Sequence, residues 1–261
     1  MPSTSYRRSY ILKQIENLGL VTVTDLANDL GVSGMTIRRD LDELEKDGLI
    51  QRVHGGAVSA HGGSYEPPYA LRATQAVEAK QAIGALAATL VTDGDSIALD
   101  IGTTTIELAK NLTERHNLTI LTPSLRIASL FINQPDVRLI IPGGIARPGE
   151  ASLSGDLTRK AFQGLFVDRL FLSVGGMDAK FGLTGFNWDE ALVKQAMIKS
   201  AKEVIVVADA TKFGEVAFAH ITSFSAIHKL VTDQPPPHPI LLELNKAGVK
   251  IYLAQNSTGS Q

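Results

Sequence analysis

The sequence contains no cysteine. Disulfides, thiolate zinc sites and cysteine nucleophiles are therefore excluded, and a reducing compartment fits. No apolar run approaches the ~18 residues of a membrane span. Nor does a basic start followed by an apolar core mark a secretory leader, so a cytoplasmic protein with no membrane partner is expected. Histidines are few, at positions 54, 61, 116, 220, 228 and 238. They show neither i, i+4 pairing nor acidic ligand spacing, so no metal site is expected. No nucleophile elbow, P-loop or dinucleotide fingerprint is present, and no cofactor is expected. Aromatics make up 6% of the chain, and residues 1–57 show no stacking platform of the kind that reads single-stranded RNA. Neither sign of charge dominates: the net charge is −2, and residues 1–57 carry seven Lys/Arg against eight Asp/Glu. A domain that grips a polyanion through bulk charge would be basic. What counts here is where the cations sit.

Arg7, Arg8, Arg38, Arg39 and Arg52 fall outside the acidic run Asp40–Asp47, and Arg38 and Arg39 share one short segment. Ser33 is a natural N-cap and Gly48 a natural helix stop. Between them Ile37, Leu41 and Leu44 recur at i, i+4 and i+7, so they share a buried face. Met35, Arg39 and Lys46 fall opposite, with Arg38 on the flank. Ser33, Met35, Thr36, Arg38 and Arg39 thus occupy the N-terminal turns, where the helix dipole also favours phosphate. The acids Asp42, Glu43, Glu45 and Asp47 gather at the other end. Arg7–Leu18 and Thr24–Leu30 have helical periodicity, and Gly31 supplies the turn between helices of a helix-turn-helix. After Gly48, an apolar/polar alternation runs into Gly55-Gly56. It predicts a short hairpin, or wing, with Arg52 and His54 on its exposed side; His54 alternatively serves only to close the hairpin. A helix that buries aliphatics and presents arginines is built to read double-stranded DNA.

Thr36-Ile-Arg-Arg-Asp-Leu41, Leu44, Gly48-Leu49 and Arg52-Val-His-Gly-Gly-Ala57, at these spacings, resemble the N-terminal domain of DeoR-type bacterial transcription regulators. Such a winged helix-turn-helix is expected over residues 1–57. A single short recognition helix rarely supplies tight operator affinity, so a homo-oligomer, dimer or tetramer, is expected, joined mainly through the rest of the chain.

Residues 58–75 mix Gly, Ser and Pro without apolar periodicity and predict a linker. From 76 to 255 the pattern alternates. Aliphatic runs at 96–101, 118–122, 137–141, 170–174, 204–208, 227–231 and 249–253 are separated by helical patterns near 76–92, 105–114, 124–133, 155–164, 189–201 and 239–247. This predicts an α/β, Rossmann-like, mostly parallel sheet covered on both faces. Residues 256–261 read as a polar tail.

Ligands of such sheets sit at the carboxyl ends of the strands. The first such end is Asp100-Ile-Gly-Thr-Thr-Thr105. Gly102 permits a tight turn, and Thr103, Thr104 and Thr105 either cap the next helix or join its amides in an anion cradle. Ser124 at the second end is equally an N-cap or a ligand contact. Arg147 at the third can meet an acidic substituent or another subunit. Gly175 and Asp178 follow the fourth, where glycine admits close approach and the carboxylate can bond hydroxyls. Asp209 and Lys212 follow the fifth. Lys194 stands out because Leu192, Val193, Ala196 and Met197 make its surroundings apolar.

In the same order, these segments resemble the effector domain of DeoR-type regulators, itself similar to ribose-5-phosphate isomerase. The resemblance implies a phosphorylated sugar or sugar acid as effector, and repression of a carbohydrate-utilisation operon as the function. It would place phosphate on Gly102–Thr105, sugar hydroxyls near Asp100, Ser124, Asp178 and Lys194, and Asp209 and Lys212 at the edge. The isomerase's catalytic glutamate falls at Gln195, and an amide takes no proton from carbon, so no enzyme is expected. The rival is a sugar-phosphate isomerase with an accessory nucleic-acid module. A smaller departure is Ala76, where many members carry Asn.

Overall fold

The computed structural model describes residues 3–18, 20–47, 49–59 and 66–255. Gly48, the expected helix stop, and the expected tail 256–261 lie outside them. The chain divides into two compact units, residues 1–72 and 73–261.

In the first unit, α1 (Thr4–Leu18), α2 (Val23–Leu30) and α3 (Gly34–Lys46) precede a hairpin of β2 (Ile50–Val53) and β3 (Gly56–Ser59). Thr22 caps α2, accepting from the Asp25 amide, and Gly31 closes it in the left-handed conformation at φ 61°. A strand the sequence did not announce, β1 (Leu20–Thr22), pairs antiparallel with β3, making a three-stranded sheet. That pairing explains the glycine pair. Gly55 has φ 82°, and a Cβ on Gly56 would lie 2.0 Å from the Val21 carbonyl oxygen. Ile11, Ile15, Leu26, Ile37, Leu41, Leu44 and Ile50 form the core. The expected linker is structured at both ends: 58–59 belong to β3, and α4 (Tyr69–Thr74) is helical. Arg72 there bonds Glu66 at 3.0 Å; residues 60–65 lie outside the described chain.

In the second unit, α5 (Val77–Ala88), β4 (Ser96–Leu99), α6 (Thr103–Lys110), β5 (Leu118–Leu121), α7 (Leu125–Phe131) and β6 (Val137–Ile140) alternate. A hairpin of β7 (Ile145–Arg147) and β8 (Ser152–Ser154) leads to α8 (Asp156–Ala161) and β9 (Val167–Leu172). Next come β10 (Gly176–Asp178), β11 (Gly182–Gly185), α9 (Trp188–Ser200), β12 (Ala201–Val207), β13 (Ala219–Thr222), β14 (Lys229–Thr232), α10 (His238–Lys246) and β15 (Lys250–Leu253). All seven expected strands form one parallel sheet in the order β15-β14-β12-β9-β4-β5-β6. Both its faces are buried, as the unbroken aliphatic runs required. Ile97 and Leu99 pack with α5 and α6, while Ala98 between them packs with α9.

The strand order fixes where a crevice opens. From β4 the chain moves outward to β5 and β6, then returns to β9 on the other side of β4. The boundary between β4 and β9 is the switch point beside which open α/β sheets bind ligands. Beyond the expected elements, β10, β11 and β13 form a small antiparallel sheet.

Ala76, the N-cap of α5, sits at φ 49° and ψ 43° with no side-chain cap bond. An L-residue there is strained by about 1–2 kcal/mol, and asparagine tolerates the region better. Ala76→Asn is expected to stabilise the unit by about 1 kcal/mol, through reduced strain and a side-chain acceptor for an open amide. A urea melt of the full chain with an unchanged or lower midpoint would contradict this.

Candidate functional site

The first unit presents α3. Ser33 Oγ accepts from the Thr36 amide at 3.2 Å and lies 3.0 Å from Thr36 Oγ1, so the helix start is locked. Ile37, Leu41 and Leu44 are buried; Met35, Arg38 and Arg39 are exposed. Neither arginine has a hydrogen-bond or ion-pair partner among the described residues. Several other cations of the unit are engaged internally. Asp40 is buried, and its carboxylate takes Arg7 Nε at 2.6 Å and Arg7 Nη2 at 3.0 Å, with Arg8 at 3.9 Å. That bond raises the Arg7 guanidinium above its ordinary value. His54 is exposed at the hairpin turn, as expected. Arg52 is not: strand residues two apart share a face, and Ile50 turns that face toward the core, leaving Arg52 half-buried. Tyr6 and Tyr10 stack along α1 with centroids 6.5 Å apart. Tyr10 is bonded to Asp29 at 3.2 Å, so the pair belongs to helix packing.

In the second unit, the ends of β4 and β9 meet at the switch point. Asp100 is buried, and its Oδ2 accepts from the Ser173 amide at 2.9 Å, from Ser173 Oγ at 3.0 Å and from Lys194 Nζ. Lys194 is also buried, on α9, and bonds the Ser173 carbonyl at 3.1 Å. Gly102 has φ 126°, and a Cβ there would lie 2.9 Å from Ser173 Oγ; both facts require glycine. Gly102 itself is the N-cap of α6, with no side-chain cap bond. The capping explanation of the three threonines therefore falls. First-turn amides lack intrahelical partners, and here no side chain covers them. The hydroxyls of Thr103 and Thr104 bond no described residue, and Thr105 Oγ1 is buried without a partner.

Other expected residues divide. Ser124 caps α7, accepting from the Ile127 amide at 3.2 Å, so its hydroxyl is committed. Arg147 meets Glu190 Oε2 at 3.0 Å, and Glu190 Oε1 accepts from Ser152 Oγ at 2.9 Å. Glu190 and Lys194 are both buried one turn apart on α9, so the hairpin's arginine joins the same side of the crevice. Asp209, at the end of β12, is buried; Oδ1 accepts from the Thr211 amide at 3.1 Å, and Oδ2 has no partner among the described residues. Lys212 is half-buried in the turn that follows.

Three expectations are corrected. Asp178 lies at a hairpin tip, its Oδ1 accepting from the amides of Lys180 and Phe181 at 2.8 and 3.0 Å. That tip lines a cavity with Ser223, Ser225, Glu243 and Lys246, residues that lead into the starts of β14 and β15. It belongs to the opposite edge of the sheet. Gly175 makes room for Phe186, whose ring carbon would lie 2.9 Å from an added Cβ, and not for a ligand. Gln195 turns away from Lys194 and donates to the His220 carbonyl at 3.2 Å. It therefore says nothing about proton abstraction in the crevice.

Sequence reasoning missed three groups here. Ser173 and Glu190 carried no motif of their own. Lys80 is buried in the first turn of α5, donating to the Gln75 carbonyl at 2.7 Å. Because α5 runs down to the start of β4, that turn lies at the carboxyl edge of the sheet.

Residues 7–62 match the DeoR-like helix-turn-helix domain, and residues 75–234 match the DeoR C terminal sensor domain. The glycerol-3-phosphate regulon repressor of Escherichia coli K12 is 32% identical over 95% of this chain and 98% of its own length. The uncharacterized HTH-type transcriptional regulator YgbI of the same organism is 32% identical over 96% and 98%. Among solved structures, ribose 5-phosphate isomerase A from Methanocaldococcus jannaschii overlays 51% of this chain and 52% of its own. Its identity is 18% and its TM-score 0.37, too slight a likeness to carry residue roles across. With both domain models matched in this order and relatives aligned over nearly the whole chain, this chain belongs to the DeoR family of transcriptional regulators.

Proposed function

We propose that this regulator is a repressor of carbohydrate-utilisation genes whose grip on operator DNA is controlled by a phosphorylated sugar or sugar acid. The observation that carries the effector reading is the uncapped start of α6 at the switch point. Open amides, two unpartnered hydroxyls and the dipole's positive end converge there on one point, which is what a phosphate needs. The buried Asp100–Ser173–Lys194 cluster beside it offers both acceptor and donor to sugar hydroxyls. Asp209, with one buried unpaired oxygen, and Lys212 stand at the adjoining strand end. The similarity to a glycerol-3-phosphate regulon repressor agrees with a phosphorylated small molecule.

On the DNA side, Arg38 and Arg39 on α3 read or clamp the duplex, with Ser33, Met35, Thr36 and His54 around them. The regulator acts as a homo-oligomer in the cytoplasm, where its DNA is; no helix among the described residues is long and apolar enough to cross a membrane. Light scattering should return a multiple of the chain's 27.9 kDa, and a monomer at micromolar concentration would oppose this. The isomerase reading is disfavoured because the relatives matched over nearly the whole chain are transcriptional regulators. Selection of genomic fragments by the full-length protein tests the function. Recovery of fragments upstream of sugar-metabolism genes is expected, and recovery of no preferred fragment would refute the proposal.

A further inference from the structure

Arg52 meets the recognition helix through both its main chain and its guanidinium. Its main-chain amide donates to Glu45 Oε1 at 2.9 Å, and its Nη1 lies 3.7 Å from Asp42 Oδ1. Asp42 and Glu45 are three apart on α3 and so project on one side. They are one and two turns beyond Arg38, on the same side of the helix. The strand they hold, β2, is the edge of its sheet, paired among the described residues with β3 alone. An edge strand offers unpaired amides outward, and Glu45 takes one of them. The main chain at Arg52 is therefore tied to the helix by a hydrogen bond, and its guanidinium lies in ion-pair range of an acid on that helix.

We propose that Glu45, assisted by Asp42, is a positioning residue for DNA recognition: it sets the wing against α3 by fixing Arg52, and so determines whether the exposed turn at His54 reaches DNA flanking the half-site. The inference rests on α3 being the recognition helix. It makes a prediction opposite to simple charge counting. Removing an acid next to a DNA-binding surface should tighten binding through weaker repulsion. If Glu45 holds the wing, its loss should weaken binding, because the flanking contacts are no longer arranged.

The probe is the labelled duplex that wild-type full-length protein enriches from a random pool, read by titration and hydroxyl-radical footprinting. Glu45→Ala is expected to bind about three- to tenfold more weakly, the worth of one hydrogen bond, and to lose protection beside the half-site while keeping it within. Glu45→Gln removes the same charge but keeps a side-chain oxygen for the Arg52 amide, so it should restore the flanking protection. Glu45→Ala with wild-type or tighter binding and an unchanged footprint would overturn the proposal, as would Glu45→Gln failing like Glu45→Ala. The Arg38→Ala/Arg39→Ala double variant separates the two levels: if it binds like wild type, the recognition-helix reading falls, and this inference with it.

Discussion

Replacing both Arg38 and Arg39 with alanine is expected to abolish sequence-specific DNA binding and leave the fold intact. The second half follows from exposure. Both side chains are exposed and have no partner among the described residues, and surface changes of that kind usually stay within about 0.5 kcal/mol. The first half follows from what the unit withholds. Arg7 and Arg8 are drawn to Asp40, Arg52 to Asp42 and Lys46 to Glu43, which leaves Arg38 and Arg39 as the unpaired cations of α3 among the described residues. A base-reading arginine contributes about 1–3 kcal/mol of discrimination, whereas a phosphate contact weakens all sequences alike. Titrations with the selected duplex and with a scrambled one distinguish the roles. A double variant that bound the selected duplex as wild type does would remove α3 from the interface.

Thr104→Val is expected to erase most of the effector response without altering DNA binding in the effector's absence. Valine keeps the threonine shape, so the buried start of α6 should stay packed; only the hydroxyl is lost. A missing hydrogen bond to a charged group costs about 1.5–3 kcal/mol, roughly a ten- to hundredfold loss of affinity for a phosphate. Gly102→Ala should do more, since a Cβ there meets Ser173 Oγ and the φ of 126° suits only glycine. Isothermal titration of Thr104→Val with whichever phosphorylated sugar moves wild type reads the effect. Equal affinities for the two proteins would move the phosphate off this turn.

The seven parallel strands could be read directly because burial on both faces leaves an unbroken aliphatic run, as in Val204–Ala208. The helix-turn-helix was equally plain, since Ser33, Ile37, Leu41 and Leu44 carry cap and stripe together. The hairpins at 145–154 and 176–185 were not, because their strands are only three or four residues long, too short to show an alternation, and β11 carries an irregular register at Leu183/Thr184. At the site, Lys194 betrayed itself by apolar neighbours. Glu190 looked like an ordinary first-turn acid of α9; only the folded hairpin brings Arg147 to it. Asp178 follows a strand end in sequence but not the carboxyl edge in space, because the chain doubles back through β10. Arg52 was misjudged for a related reason: period-two alternation assigns a face, but not the helix that covers it.

The measurement that bears most directly on regulation by a sugar phosphate is a DNA-binding titration of the wild-type chain with and without a panel of phosphorylated sugars and sugar acids. A ligand shifts DNA affinity only through its different affinity for the two states, typically about 1–3 kcal/mol, or roughly five- to 150-fold. One member of the panel is expected to move the DNA midpoint by that factor, while its unphosphorylated counterpart leaves it unmoved. Linkage then requires DNA to change that member's affinity by the same factor. A midpoint that no phosphorylated compound moves, or that the free sugar moves equally, would contradict a phosphate held at the start of α6.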